Sequence, residues 1–195
     1  WGDSILPGAP AWSPGAISAA GQAAQFGYNN DFVAYMPLPL GSGSSTHGLL
    51  CVNHEFTNTK FIWPGLNALN IRQSMSRERT AVEMAAIGHS VVEIERGARG
   101  WRYKNSPFNR RLTADSPMRL SGPAAGNARV RTDEDLQGYD CRGVLNPCSG
   151  GKTPWGTVLI ADENFNMMFA GHTPDERERR NHQRYGVGTV NLYSW

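Results

Sequence analysis

The chain holds 195 residues with a net charge of +2, and its 19 basic and 17 acidic residues are interspersed, so no clustered basic face points to a nucleic-acid partner. Hydrophobic residues make up 39%, too many for wholesale disorder, and no run is long and apolar enough to span a membrane. With 22 Gly and 12 Pro, the composition favours turns and irregular loops over a helix bundle, in a length that suits one domain or two small ones.

Residues 1–27 are rich in Pro, Gly and Ala and read as irregular, with room for one short helix within Ala16–Gln25. Asn29-Asn30-Asp31 reads as a turn. Phe32, Ala34 and Met36 then alternate with Val33, Tyr35 and Pro37, a strand with apolar residues on both faces. Gly41–Ser45 is a turn, and Gly48–Val52 is a second strand, so 31–52 is expected to form an antiparallel pair. Ser76–Ile87 is the best helix candidate, with Ser76 as cap and Gly88 as terminator. Ser90–Glu95 alternates as a strand, and "GWRYKN" reads as its hairpin mate. Residues 105–150 read as mostly loop, and a loop of that length usually carries function or lies over a site. Thr157–Ala161 is a short strand, and the run Arg177–Arg180, next to Asp175 and Glu176, is a solvated loop or helix face.

One design occurs twice. "LLCV" runs into Asn53-His54-Glu55, and "TVLIA" runs into Asp162-Glu163-Asn164. Each is an apolar strand ending in a polar, ligand-capable triplet. In a radial or barrel-like β protein such strand ends converge on one pocket. Asn30 and Asp31 stand at the start of the first strand as a further polar group. Carboxylates and amides there suit hard cations, and His54 suits a transition metal or acid–base work. A lone triplet of this kind more often bonds its own turn, but two of them after two apolar strands shift the balance toward a site.

The three cysteines are too few for a disulfide framework. Cys51, between Leu50 and Val52, reads as a small buried hydrophobe. Cys148, in a turn dense with Gly and Pro, is free to reach a metal or to pair with Cys141. The segment "SGGKTPWGT" ends like a phosphate loop, but Asn146 stands where that loop needs Gly, and Pro154-Trp155 replaces the helix start. What remains is a Gly-Gly turn that could offer an anion nest near Lys152. His47, His89, His172 and His182 stand alone and read as structural or exposed.

Five segments in chain order, "WGD…PGAP", "QAAQFGYNNDF…YMPL", "GLLCVNHEFTN", "VEMAAIGHSVVEI" and "NPCSGGKTPWGTVLIADENF", resemble the signatures of the PhoX-type alkaline phosphatases. The likeness runs through to "RYGVGTVNLYSW". It implies a mainly β fold, part of an irregular β-propeller with long loops and a short helix, and an exported protein, periplasmic or secreted. It also implies a phosphomonoesterase whose site holds ferric iron and calcium and acts by metal-activated oxygen attack on phosphorus. On this likeness Asn53, His54 and Glu55 match one functional element and are the catalytic candidates. Glu55, Asp162, Glu163, Asn164, Asn30 and Asp31 are metal-ligand candidates, with Asp162 standing where the family more often has Glu. Either Cys51 or Cys148 fits the iron thiolate, and a strand position beside the Asn53–Glu55 tip favours Cys51. Members of the family are much longer, so residues 1–195 are expected to form one partial propeller domain, an N-terminal third that lacks later blades and is inactive alone. The rival readings are a non-catalytic calcium-binding propeller segment and a calcium-dependent propeller hydrolase of another bond, such as a lactone.

Overall fold

The computed structural model of the protein describes residues 1–190. The N-terminal segment is tied down by backbone bonds: Gly2 N donates to Phe26 O at 3.0 Å and Phe26 N to Asp3 O at 2.7 Å. Helix α1 (Ala19–Gln22) is short and is capped by Ser18, whose hydroxyl accepts from Gly21 N. Strands β1 (Asn30–Pro37) and β2 (His47–His54) form the antiparallel pair expected over 31–52. Two four-residue helices follow, α2 (Thr59–Ile62) and α3 (Ile71–Ser74). Helix α4 (Arg77–Ala86) starts at its expected cap, with Ser76 accepting from Arg79 N. Strands β3 (Gly88–Gly97) and β4 (Gly100–Lys104) are the expected hairpin.

The stretch 105–150 is more organised than its sequence suggests. β5 (Arg110–Leu112) joins β3, and β6 (Pro117–Arg119) pairs with β7 (Asp140–Arg142). Three-residue strands carry too little alternation to be legible in sequence. β8 (Pro147–Lys152) and β9 (Val158–Asp162) form a separate hairpin. Helix α5 (Glu176–Tyr185) takes the charge run, buries none of its residues, and is closed by Asp175 and Gly186.

The fold is mainly β with a few short helices, and its antiparallel sheets stay open. The main sheet runs β1-β2-β3-β4 with β5 on β3, beside two sheets of two strands each. Among the described residues no helix is long and apolar enough to cross a membrane.

One face of the main sheet carries Ala34, Met36 and Cys51, with Phe32, Leu49, Val91 and Val158 of β9 packed on them. β8 lies against β1 and β2 on this face. Gly150 permits that approach, because a Cβ there would sit 2.6 Å from the Phe32 ring. Gly150 and Gly151 therefore stand in a strand, opposite Ile160 and Leu159, and not in an anion-binding turn. Lys152 Nζ is engaged too, donating to Tyr35 O at 2.9 Å.

Buried polar groups fasten the other elements. Arg111 donates to the backbone oxygens of Gln25, Ala85, Ile87, His89 and Leu112, so one guanidinium ties α4, β3 and the N-terminal segment together. Burial pulls its pKa below the ordinary value, while five carbonyl acceptors favour the charged form. Glu83, fully buried on α4, accepts from Thr57 at 2.7 Å, Thr59 at 2.9 Å and Trp63 Nε1 at 3.0 Å.

Candidate metal centre

At one end of the main sheet, Asp31, Glu55 and Cys148 each offer a ligand atom, and these atoms all lie within 4.8 Å of one another. The backbone brings them there by three local devices. Asn29 adopts a left-handed φ of 46°, and its carbonyl accepts from Glu55 N at 3.0 Å, which sets the start of β1 beside the exit of β2. A register slip between Asn30 and Val33 then takes Asp31 out of the regular ladder and re-aims its side chain. A second slip, between Pro147 and Ser149, does the same for Cys148 on the hairpin.

Asn146 joins the halves. Its Nδ2 donates to Glu55 Oε1 at 3.3 Å, and its carbonyl accepts from Glu163 N at 2.9 Å. It is buried and left-handed, with φ 53°. Among the described residues the non-glycine positions with positive φ are Asn29, Asn146 and Asn164, and the first two bond Glu55 directly. Asn is the side chain that tolerates this conformation best after Gly. Sequence reasoning missed Asn146; the available signal was an Asn-Pro step directly before a cysteine.

The cluster is strongly anionic. The Cys148 thiol donates to Asp31 Oδ2 at 3.1 Å, and the Glu163 carboxylate lies close enough to act on it. The neighbouring Glu163 and Asp31, with partial burial, push its pKa up to about 12. The Glu55 carboxyl is raised as well, first by burial and then by the Asp31 charge, against the Asn146 bond that lowers it. Carboxylates crowding a thiol destabilise each other's charged forms until a cation joins them. The donor chemistry fits such a cation: carboxylate oxygens suit hard ions and a thiolate suits iron and other transition metals.

Other candidates stand elsewhere. Cys51 is 1% exposed in the core, with Sγ 3.9 Å from Met36 Sδ, and burial raises its pKa to about 11. It lies opposite Ala34 and Val91 in the ladder and packs in the core under the hairpin, so, against the preference for Cys51, it is Cys148 that stands with Asp31 and Glu55. His54 and Asn53, expected as catalytic, are fully buried. His54 Nε2 accepts from Ser90 Oγ at 2.7 Å and Gly27 N at 3.3 Å, and its Nδ1–H donates to Asn30 Oδ1 at 3.1 Å. A Cβ on Gly27 would lie 2.4 Å from that imidazole, so the ring is walled in. Burial, then the charges of Arg111 and His89, lower its pKa to about 2, which removes it as a proton carrier at neutral pH. Asn53 Nδ2 reaches the carbonyls of Cys148 and Ser149. Asp162 Oδ2 accepts from Leu145 N at 3.0 Å, a turn role, and Asn164 opens the short 3-10 turn Phe165–Met168. All three cysteines are free, so Cys141 and Cys148 form no disulfide. A cleft of about 430 Å³ between Met36, Leu40, Lys152 and Trp155 lies at the turn end of the β8–β9 hairpin and does not include the cluster.

A model of the family described as alkaline phosphatase PhoX matches residues 1–194. The chain belongs to the PhoX alkaline phosphatase family. Among solved structures it is similar to Pseudomonas fluorescens PhoX in complex with vanadate, a transition state analogue, at 34% identity and a TM-score of 0.84. That likeness covers 97% of this chain and 32% of the Pseudomonas chain, so the chain spans about a third of that PhoX. No curated protein matches.

Proposed function

We propose that this chain carries part of the metal centre of a PhoX-type phosphomonoesterase, with Asp31, Glu55, Cys148 and Glu163 as its donors. The observation that carries the reading is the meeting of Asp31, Glu55 and Cys148 within 4.8 Å in a protein of this family. Phosphoryl transfer concentrates negative charge on the phosphoryl oxygens, and bound iron and calcium, as the family resemblance implies, would supply the opposing charge. The vanadate in the Pseudomonas PhoX, as a transition state analogue, is in keeping with such a reaction. In this chain Asp31 and Glu55 present oxygens from the sheet, Cys148 and Glu163 present sulfur and oxygen from the hairpin, and Asn146 holds Glu55 in place. A thiol among the donors argues against a calcium-only site, and so against the non-catalytic and lactonase-like alternatives.

The open edges of the main sheet favour a larger architecture, an irregular β-propeller in which further strands cover them. On this reading turnover belongs to a longer, exported protein, periplasmic or secreted, and this chain alone binds cations without completing the reaction. The test is metal content by elemental mass spectrometry, then p-nitrophenyl phosphate hydrolysis with and without a chelator. Iron bound by the wild type and lost from Cys148→Ser is the expected result. A wild type that retains no cation overturns the metal centre, and phosphatase turnover by this chain alone overturns its dependence on further strands.

A further inference from the structure

We propose that Asn53 and His89 form a positioning pair that sets where Cys148 presents its sulfur; the inference rests on the metal-centre reading. The β8–β9 ladder does not hold Cys148, because the register slips between Pro147 and Ser149 and leaves it unpaired there. Its carbonyl is instead taken by a side chain 95 residues away: Asn53 Nδ2 lies 3.4 Å from Cys148 O and 3.2 Å from Ser149 O. An amide nitrogen facing two carbonyls fixes the orientation of the amide, so Asn53 Oδ1 faces His89, 2.8 Å from Nδ1. His89 therefore carries its proton on Nδ1 and donates it to Asn53. The two residues are cross-strand partners on β2 and β3, with 0% and 4% exposure, so neither side chain is free to turn. Arg111 closes the chain of restraint by donating to the His89 carbonyl at 3.3 Å. The buried sheet thus reaches across to a different sheet and grips the backbone at the one residue whose sulfur joins the cluster.

A pair that only glued two sheets together would affect stability alone. A positioning pair also affects the sulfur. In metal-free protein well below its melting temperature, the alkylation rate of Cys148 is measured against that of Cys51 by peptide mass spectrometry. Buried Cys51 reports global opening, so the ratio isolates Cys148. Asn53→Ala and His89→Ala are expected to raise the ratio and to weaken metal binding about 10–100-fold. His89→Asn restores a donor near the place of Nδ1 and is expected to return both readings toward the wild type. If Asn53→Ala does not fold, the two His89 variants carry the test. Variants that keep the wild-type ratio and metal affinity, whatever their melting temperatures, overturn the pair. Failure of the wild type to take up metal overturns the metal centre by itself, since the thiol ratio is read without metal.

Discussion

The main sheet and the β8–β9 hairpin each deliver half of the acidic cluster, by different means. The sheet half, Asp31 and Glu55, stands on strands whose tips end in the fully buried Asn53 and His54. The hairpin half, Cys148 and Glu163, stands on a ribbon whose outer side is open to solvent, with Leu159 60% exposed. An isolated two-stranded ribbon is marginal in water, so the hairpin takes its order from what it leans on. Its supports are the Phe32–Gly150 approach, the Lys152 bond to Tyr35 and the Asn53 grip. The site is thus a fixed half and a docked half, and damage to one should look different from damage to the other.

The largest effect is expected on the fixed half. Arg111→Met leaves several buried carbonyls without their donor and should cost about 3–5 kcal/mol, read as a lower urea midpoint. A midpoint within error of the wild type would show that the sheet does not depend on that guanidinium. Next comes acid. Burial, then the Arg111 charge, lowers the His89 pKa from 6.5 to about 4. Between those pH values the unfolded chain binds a proton that the folded chain refuses, so stability is complete above pH 6.5 and falls as pH drops toward 4. The loss from His89 alone amounts to about 3 kcal/mol, and His54 acts in the same direction. Denaturant titrations in steps across that range should show the slope, and His89→Asn should flatten it; equal slopes would remove His89 as its source.

On the docked half the readout moves from stability to metal. Cys148→Ser should weaken cation binding about 100-fold or more while Cys51→Ser leaves it intact, measured by calorimetric titration. The opposite pattern would return the thiolate role to the core cysteine. The smallest effect falls at the join. Asn146→Ala places alanine at φ 53° and removes the bond to Glu55, for about 1–2 kcal/mol of stability and a modest loss of metal affinity. A variant as stable as the wild type would mean that the left-handed turn is not strained by a Cβ.

Much of this was legible before any coordinates. Apolar alternation marked β1 and β3, a continuous apolar run marked β2, Ser76 and Gly88 bracketed α4, and the polar groups at strand ends named Asp31, Glu55 and Glu163. The three-residue strands between 105 and 150 were not legible, because their pairing depends on neighbours remote in sequence. Asn146 was missed for the same reason: its worth lies in Glu55 and Glu163, which only folding brings near.

The amino-acid sequence determined the longer strands β1 to β4 and β9, the capped helix, the acidic strand ends and the family, because these rest on local periodicity, capping chemistry and ordered motifs. Tertiary structure alone brought Cys148, and not Cys51, beside the carboxylates. Side chains alternate sides along a strand, so pairing opposite Ala34 and Val91 turns Cys51 into the core, while a register slip swings Cys148 toward Asp31. Register between distant strands is a property of the packed chain, and no local stretch of residues records it.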